Sequence, residues 1–203
     1  MSAHKEKHTK FMVSARPFSL FLTLSFLASQ FCNASPNARA LAEYFDIPQR
    51  VKQETQQISS QMAASHPHIA DVLLRSLKYT QHDEMIGRAE VIFDSGTSQK
   101  DMKTFVAFIS TPLGQRVGEV LRTKINPKDI QENFSGYSLE EQTEINIFFA
   151  SPAAKNVISS LSSPAWSQTW KLYGELLMCR YIENEEPERF ESLRNLGKCL
   201  LKK

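Results

Sequence analysis

The sequence predicts an all-α, compact multi-helix bundle, and three observations carry that prediction. Apolar residues recur at helical spacing along almost the whole chain, and no stretch alternates polar and apolar long enough for a convincing strand. Seven glycines stand against many Leu, Ala, Ser, Gln, Glu and Lys residues, a balance that favours helix over sheet. One pattern, a phenylalanine shortly before Ser/Thr–Pro, occurs twice: "FVAFISTPLG" at 105–114 and "INIFFASPAA" at 145–154.

The opening residues read as a secretory leader. A basic segment with Lys5, Lys7, Lys10 and Arg16 precedes the apolar run "FSLFLTLSFLASQF". "CNAS" then places small residues, Cys32 and Ala34, at the −3 and −1 positions of a signal-peptidase cut. The division is a signal peptide over 1–34 and a single helical domain over 35–203. The run is shorter than the ~20 residues of a membrane-spanning helix and contains Ser25, Ser29 and Gln30, so an uncleaved anchor is the lesser alternative. Gln30 and Phe31, before Cys32, argue against a lipoprotein. Met12 opens an equally complete signal, so translation from Met1 or Met12 is left open. Without the leader the formal charge changes from +2 to −1, too small for a nucleic-acid binder.

Residues 37–45 make a short helix carrying Leu41, Tyr44 and Phe45. Asp46 caps the next, with Pro48 in its first turn, and it runs to about Ala64 on Val51, Thr55, Ile58 and Met62. "SHPH" breaks it. Ile69, Val72, Leu73 and Leu77 mark a third helix, and Met85, Ile86, Ala89, Ile92 and Phe93 a fourth, stopped by "DSG".

The repeated unit follows, about 98–121 and again about 138–161. Ser98 with Asp101, and Ser138 with Glu141, are helix starts, the second a capping box. An offset of forty relates Phe105 to Ile145, Phe108 to Phe148, Thr111 to Ser151, Pro112 to Pro152, Val117 to Val157 and Leu121 to Leu161. Proline disfavours α conformation in the residue before it and suits the first turn of a new helix. Each copy is therefore a helix, a break capped by Thr111 or Ser151, and a second helix, with Phe108 or Phe148 filling the inside of the corner. Gly114 and Gly118 let another helix approach the first copy closely; Ala154 makes the second looser in that respect. Residues 125–137 form a short helix or turn between the units. A long helix runs from Pro164 to about Glu183, and a last one from Pro187 to about Leu201.

This pattern resembles a bacterial exported family catalogued as domain of unknown function 2059. The resemblance covers residues about 40–122 and rests on Phe108–Ile109–Ser110–Thr111–Pro112–Leu113–Gly114–Gln115, on "QETQQISSQM" and on "VIFDSGTSQKDM". Ile109 stands where the family has a second aromatic, and 138–161 is a divergent echo. The resemblance implies an all-helical envelope protein and no particular activity.

Cys179 and Cys199 are an even pair in an exported chain, which invites a disulfide. A turn near 183–187 followed by a continuous helix sets them roughly 12 Å out of register, which opposes the bond unless the chain unwinds at Gly197 and folds back. His66, His68 and His82 fit no strong zinc template, so a solvated loop or helix start is the ordinary reading and no metal is expected. Trp166, Trp170, Tyr173 and Leu177 form a helical stripe that reads as core, with glycan stacking as the alternative. The acidic pairs Asp83–Glu84, Glu140–Glu141 and Glu185–Glu186 read as first-turn acids rather than hydrolytic carboxylates. No nucleophile elbow or phosphate loop is present, and no catalytic residue or cofactor is expected. The expectation is an exported, periplasmic or secreted, non-enzymatic module binding a protein or envelope component through a groove between helices. An envelope glycan hydrolase with helix-borne carboxylates is the alternative.

Overall fold

The structure is a computed structural model that describes residues 35–123, 134–196 and 199. The expected leader, most of the 125–137 connector, and Gly197 lie outside the described residues. The described residues are helical, with no strand among them: α1 Pro36–Tyr44, α2 Ile47–Met62, α3 Pro67–Ser76, α4 His82–Gly96, α5 Gln99–Ile109, α6 Pro112–Thr123, α7 Leu139–Ala150, α8 Pro152–Ser160, α9 Pro164–Glu185 and α10 Pro187–Asn195. Short 3₁₀ turns occupy Leu77–Tyr79 and Phe134–Gly136.

Prolines and small polar residues punctuate this order. Ser35, Ser98, Ser138, Ser151 and Ser163 each accept a backbone N–H three residues on. At Ser138 the bond is reciprocated by Glu141, as the capping box requires. Asp46 holds the position before α2, yet its side chain makes no capping bond. The residue sits at φ 46°, a left-handed conformation that Asp tolerates better than most residues.

α1 supplies the centre of the core. Ala38, Leu41 and Ala42 are wholly buried, and the helix packs chiefly on α4 and α5. α4 in turn contacts α1, α2, α8 and α9, presenting Met85, Ile86, Ala89, Ile92 and Phe93 to the interior. α2 and α3 form an antiparallel pair, and α9 lies against α3. Glu84 on α4 accepts hydrogen bonds from Arg180 of α9 (2.7 and 3.3 Å) and Arg88 (2.9 Å). Burial raises the Glu84 pKa, but the two guanidiniums outweigh it and leave the carboxyl below its ordinary range.

The corners take the expected form. Gly114 N donates to Thr111 Oγ1 (3.0 Å) and Ala154 N to Ser151 Oγ (3.2 Å). Phe108 and Phe148, read as corner fillers, instead stack on each other with centroids 3.7 Å apart. A β-carbon at Gly114 would lie 2.1 Å from the Phe108 carbonyl oxygen, so the glycine lets α6 fold back on the end of α5. At Gly118 it would lie 2.5 Å from the Tyr44 ring, whose hydroxyl donates to the Gly114 carbonyl (2.8 Å). Ala154 is wholly buried, so the second corner accommodates a methyl at the equivalent position, where the first admits none.

Two expectations need correction. The last helix does not reach Leu201: α10 ends at Asn195, and Cys199 has φ 54°. The premise that kept the cysteines out of register thereby fails, and Cys179 and Cys199 are bonded with Cα atoms 5.3 Å apart. Asp83–Glu84 and Glu140–Glu141 occupy first turns, but Glu185 ends α9, where it accepts from Lys78 (2.6 Å) and Tyr79 (2.7 Å).

Candidate functional site: an apolar groove between three helices

The α2 stripe behaves differently along its length. Val51 is buried, but Ile58 is 49% exposed, and Ile69 facing from α3 is 44% exposed. Together with Met62, Leu73, Trp166, Trp170 and Met178 they line an open groove of about 510 Å³ between α2, α3 and α9. In the sequence Ile58 and Ile69 serve only as apolar markers of their helices. Periodicity marks an apolar face but does not say whether a neighbouring helix covers all of it.

The aromatic stripe of α9 divides its labour. Tyr173 and Leu177 are buried in the core. Burial raises the Tyr173 pKa, and its hydroxyl accepts from Gln81 N (3.3 Å). Trp166 and Trp170 meet edge to face, centroids 5.3 Å apart, and form one wall of the groove. Trp166 is only 5% exposed, and Arg50 lies 5.7 Å from its ring centroid. The Trp170 indole N–H is buried and has no hydrogen-bond partner among the described residues. Gly174 keeps the α9 backbone low opposite Leu73: a β-carbon there would just reach van der Waals contact with it.

Charge is confined to the groove's edges. Arg50 Nε donates to Glu54 (3.0 Å), which neutralises one of the two lining carboxylates; Glu175 and Lys171 are exposed on α9. Apolar side chains and two largely buried indoles offer few donors or acceptors to a sugar, whose hydroxyls would be desolvated without partners. Aliphatic and thioether groups suit an apolar occupant, and the methionines can adjust to its shape.

The other sequence-predicted residues do not converge on a site. Thr111, Gly114 and Ser151 hold the corners, Phe108 and Phe148 stack on each other between α5 and α7, and Pro112 and Pro152 are exposed at the first positions of α6 and α8. The imidazoles are exposed and separately engaged: His68 Nε2 with Arg189 (2.8 Å), His66 Nδ1 with Ser65 (2.9 Å), His82 Nδ1 with Asp83 (3.5 Å). Among the described residues no group of three or more His, Cys, Asp or Glu could hold a metal ion. None of the described helices is long and apolar enough to cross a membrane. No family model matches the chain, and no curated protein or solved structure does either.

Proposed function

We propose that this is an exported helical binding module whose groove between α2, α3 and α9 receives the apolar face of an amphipathic helix from a protein partner. The observation that carries the reading is the groove itself: two isoleucines nearly half exposed, facing each other from adjacent helices above an apolar floor. The polar edge of Glu54, Lys171 and Glu175 suits the charged flanks of such a helix. Export is supported by the leader pattern and by the Cys179–Cys199 bond, which belongs to an oxidising compartment. The resemblance to the exported family is part of the same reading.

A photo-reactive residue placed at Ile58 in the exporting cell tests it. The expected product is a discrete protein adduct that is absent when the probe sits at exposed Lys103 and is lost when Ile69→Lys is added. Adducts with glycan only, or none, overturn the reading. Ile69→Lys alone should leave the melting temperature within about 2 °C, because an exposed surface change costs at most about 0.5 kcal/mol.

We also infer that 98–121 and 138–161 are two copies of one unit, facing each other across the Phe108–Phe148 stack. The support is reciprocal contact. Arg116 of α6 pairs with Glu141 of α7. The residues equivalent to these at the forty-residue offset, Asn156 and Asp101, also bond to each other (2.9 Å). Val117 and Val157 are both wholly buried.

A further inference from the structure

Ser35 uses every polar group it has. Its side chain accepts from Ala38 N (3.2 Å), its carbonyl from Arg39 N (3.3 Å), and its own backbone N–H donates to Asp94 Oδ2 (3.1 Å) on α4. The other Asp94 oxygen accepts from Gln99 Nε2 (2.9 Å), so the carboxylate is held in place from α5 as well. α1, which Ser35 caps, is a core helix: Ala38, Leu41 and Ala42 are wholly buried. A processing cut after Ser35 would remove the cap of a core helix, whereas a cut before it leaves all three interactions in place. That position coincides with the small-residue pattern Cys32–Asn33–Ala34.

We infer that Ser35 is the mature amino terminus and that its α-ammonium pairs with Asp94. The inference rests on the proposed export. A signal peptidase with one water hydrolyses the Ala34–Ser35 peptide bond. The C–N bond breaks, the water oxygen enters the new Ala34 carboxylate, and the amine left on Ser35 takes up a proton at neutral pH. A neutral amide donor thereby becomes a cationic one at a carboxylate already within hydrogen-bond distance, which strengthens the contact.

The charges around it favour the same change. Arg39 is paired with three acids: Glu43 (3.0 Å), Asp83 (3.6 Å) and Glu90 (3.6 Å). Glu90 is buried, which raises its pKa, and although Arg39 lowers it, Asp94, Glu43 and Asp83 raise it further. A second cation beside Asp94 relieves that excess of negative charge. A cation at a helix N-terminus is opposed by the helix dipole. The hydrogen-bonded carboxylate is the nearer and larger interaction, so the pair wins.

The test uses the full chain, expressed with its own leader and recovered from the exporting compartment. Intact mass is expected to give a chain beginning at Ser35. Selective acetylation of the α-amine, verified as a single addition at Ser35, is expected to lower the melting temperature by about 3 °C. The same acetylation should have no effect in Asp94→Asn. A chain that begins at Ser35 and melts unchanged after acetylation overturns the pairing while leaving export intact. A start at any other residue also overturns the inference. A chain still carrying "FSLFLTL" overturns the cleavage and the pairing together. If Asp94→Asn fails to fold, the acetylation experiment on the unsubstituted protein decides alone.

Discussion

Phe108 and Phe148 lie forty residues apart in sequence and stack nearly parallel, with planes 11° apart and centroids 3.7 Å apart. Phe105 meets Phe148 edge-on at 5.1 Å, and Phe149 meets Phe108 edge-on at 6.4 Å. Four rings thus join α5 to α7. Phe108→Ala and Phe148→Ala should each destabilise by about 2–4 kcal/mol. Because each removes the other's partner, the double variant should fall short of the sum by about 1 kcal/mol. Urea unfolding of the three variants measures both quantities; strict additivity would mean the stack contributes nothing beyond area.

Gly114 and Gly87 predict opposite outcomes for the same substitution. Gly114→Ala forces a methyl to 2.1 Å from a backbone carbonyl, which the corner cannot accommodate without opening. The expected loss is about 3 kcal/mol or more. Gly87 lies within α4 and a β-carbon there meets nothing within 4 Å. Gly87→Ala should raise stability by about 0.5–1 kcal/mol through helix propensity. Thermal melts of the pair decide it.

The Glu84 network sets an acid limit. Its folded pKa lies below the unfolded value of about 4.3, so the contribution is complete above that value and is lost as pH falls through the folded one. Unfolding should therefore steepen below about pH 4. Glu84→Gln should flatten that limb and cost about 1–3 kcal/mol at pH 7, since Arg180 and Arg88 lose their carboxylate. Stability measured from pH 3 to 7 in both proteins checks the sign.

The Cys179–Cys199 bond spans a separation of 20 residues and closes α10 onto α9. Cys199 also packs against the small cluster of Val72, Tyr181, Ile182 and Phe190. Reduction should cost about 3 kcal/mol. The loss should appear first as faster amide exchange in α10, with α4 and α5 protected until global unfolding.

Much of this fold was legible before any coordinates. Serine and proline positions fix helix starts by local chemistry, so the caps at Ser98, Ser138, Ser151 and Ser163 could be read directly. The end of α10 could not, because nothing local in "RNLGKC" opposes a continued helix as strongly as the link to Cys179 does. Corner glycines at 114 and 118 announced close approach; at Gly114 the neighbour is the adjoining end of α5, but at Gly118 it is the ring of Tyr44, a partner distant in sequence that no local pattern names. The groove was least legible. Ile58 and Leu73 carry the same periodic signal, yet one is exposed and the other buried, because periodicity does not say which positions the neighbouring helices cover.

The burial of α1 bears on how the chain acquires its structure. This segment is synthesised well before its partners, yet its cap rests on Asp94 and its tyrosine on Gly114. Little can hold a nine-residue helix on its own in water. The core cluster that takes in α1 also takes in Tyr173 and Leu177 of α9, so it cannot close until most of the chain has been made. For a chain exported as proposed above, such lateness is an asset: passage through a narrow pore would precede the decisive folding step.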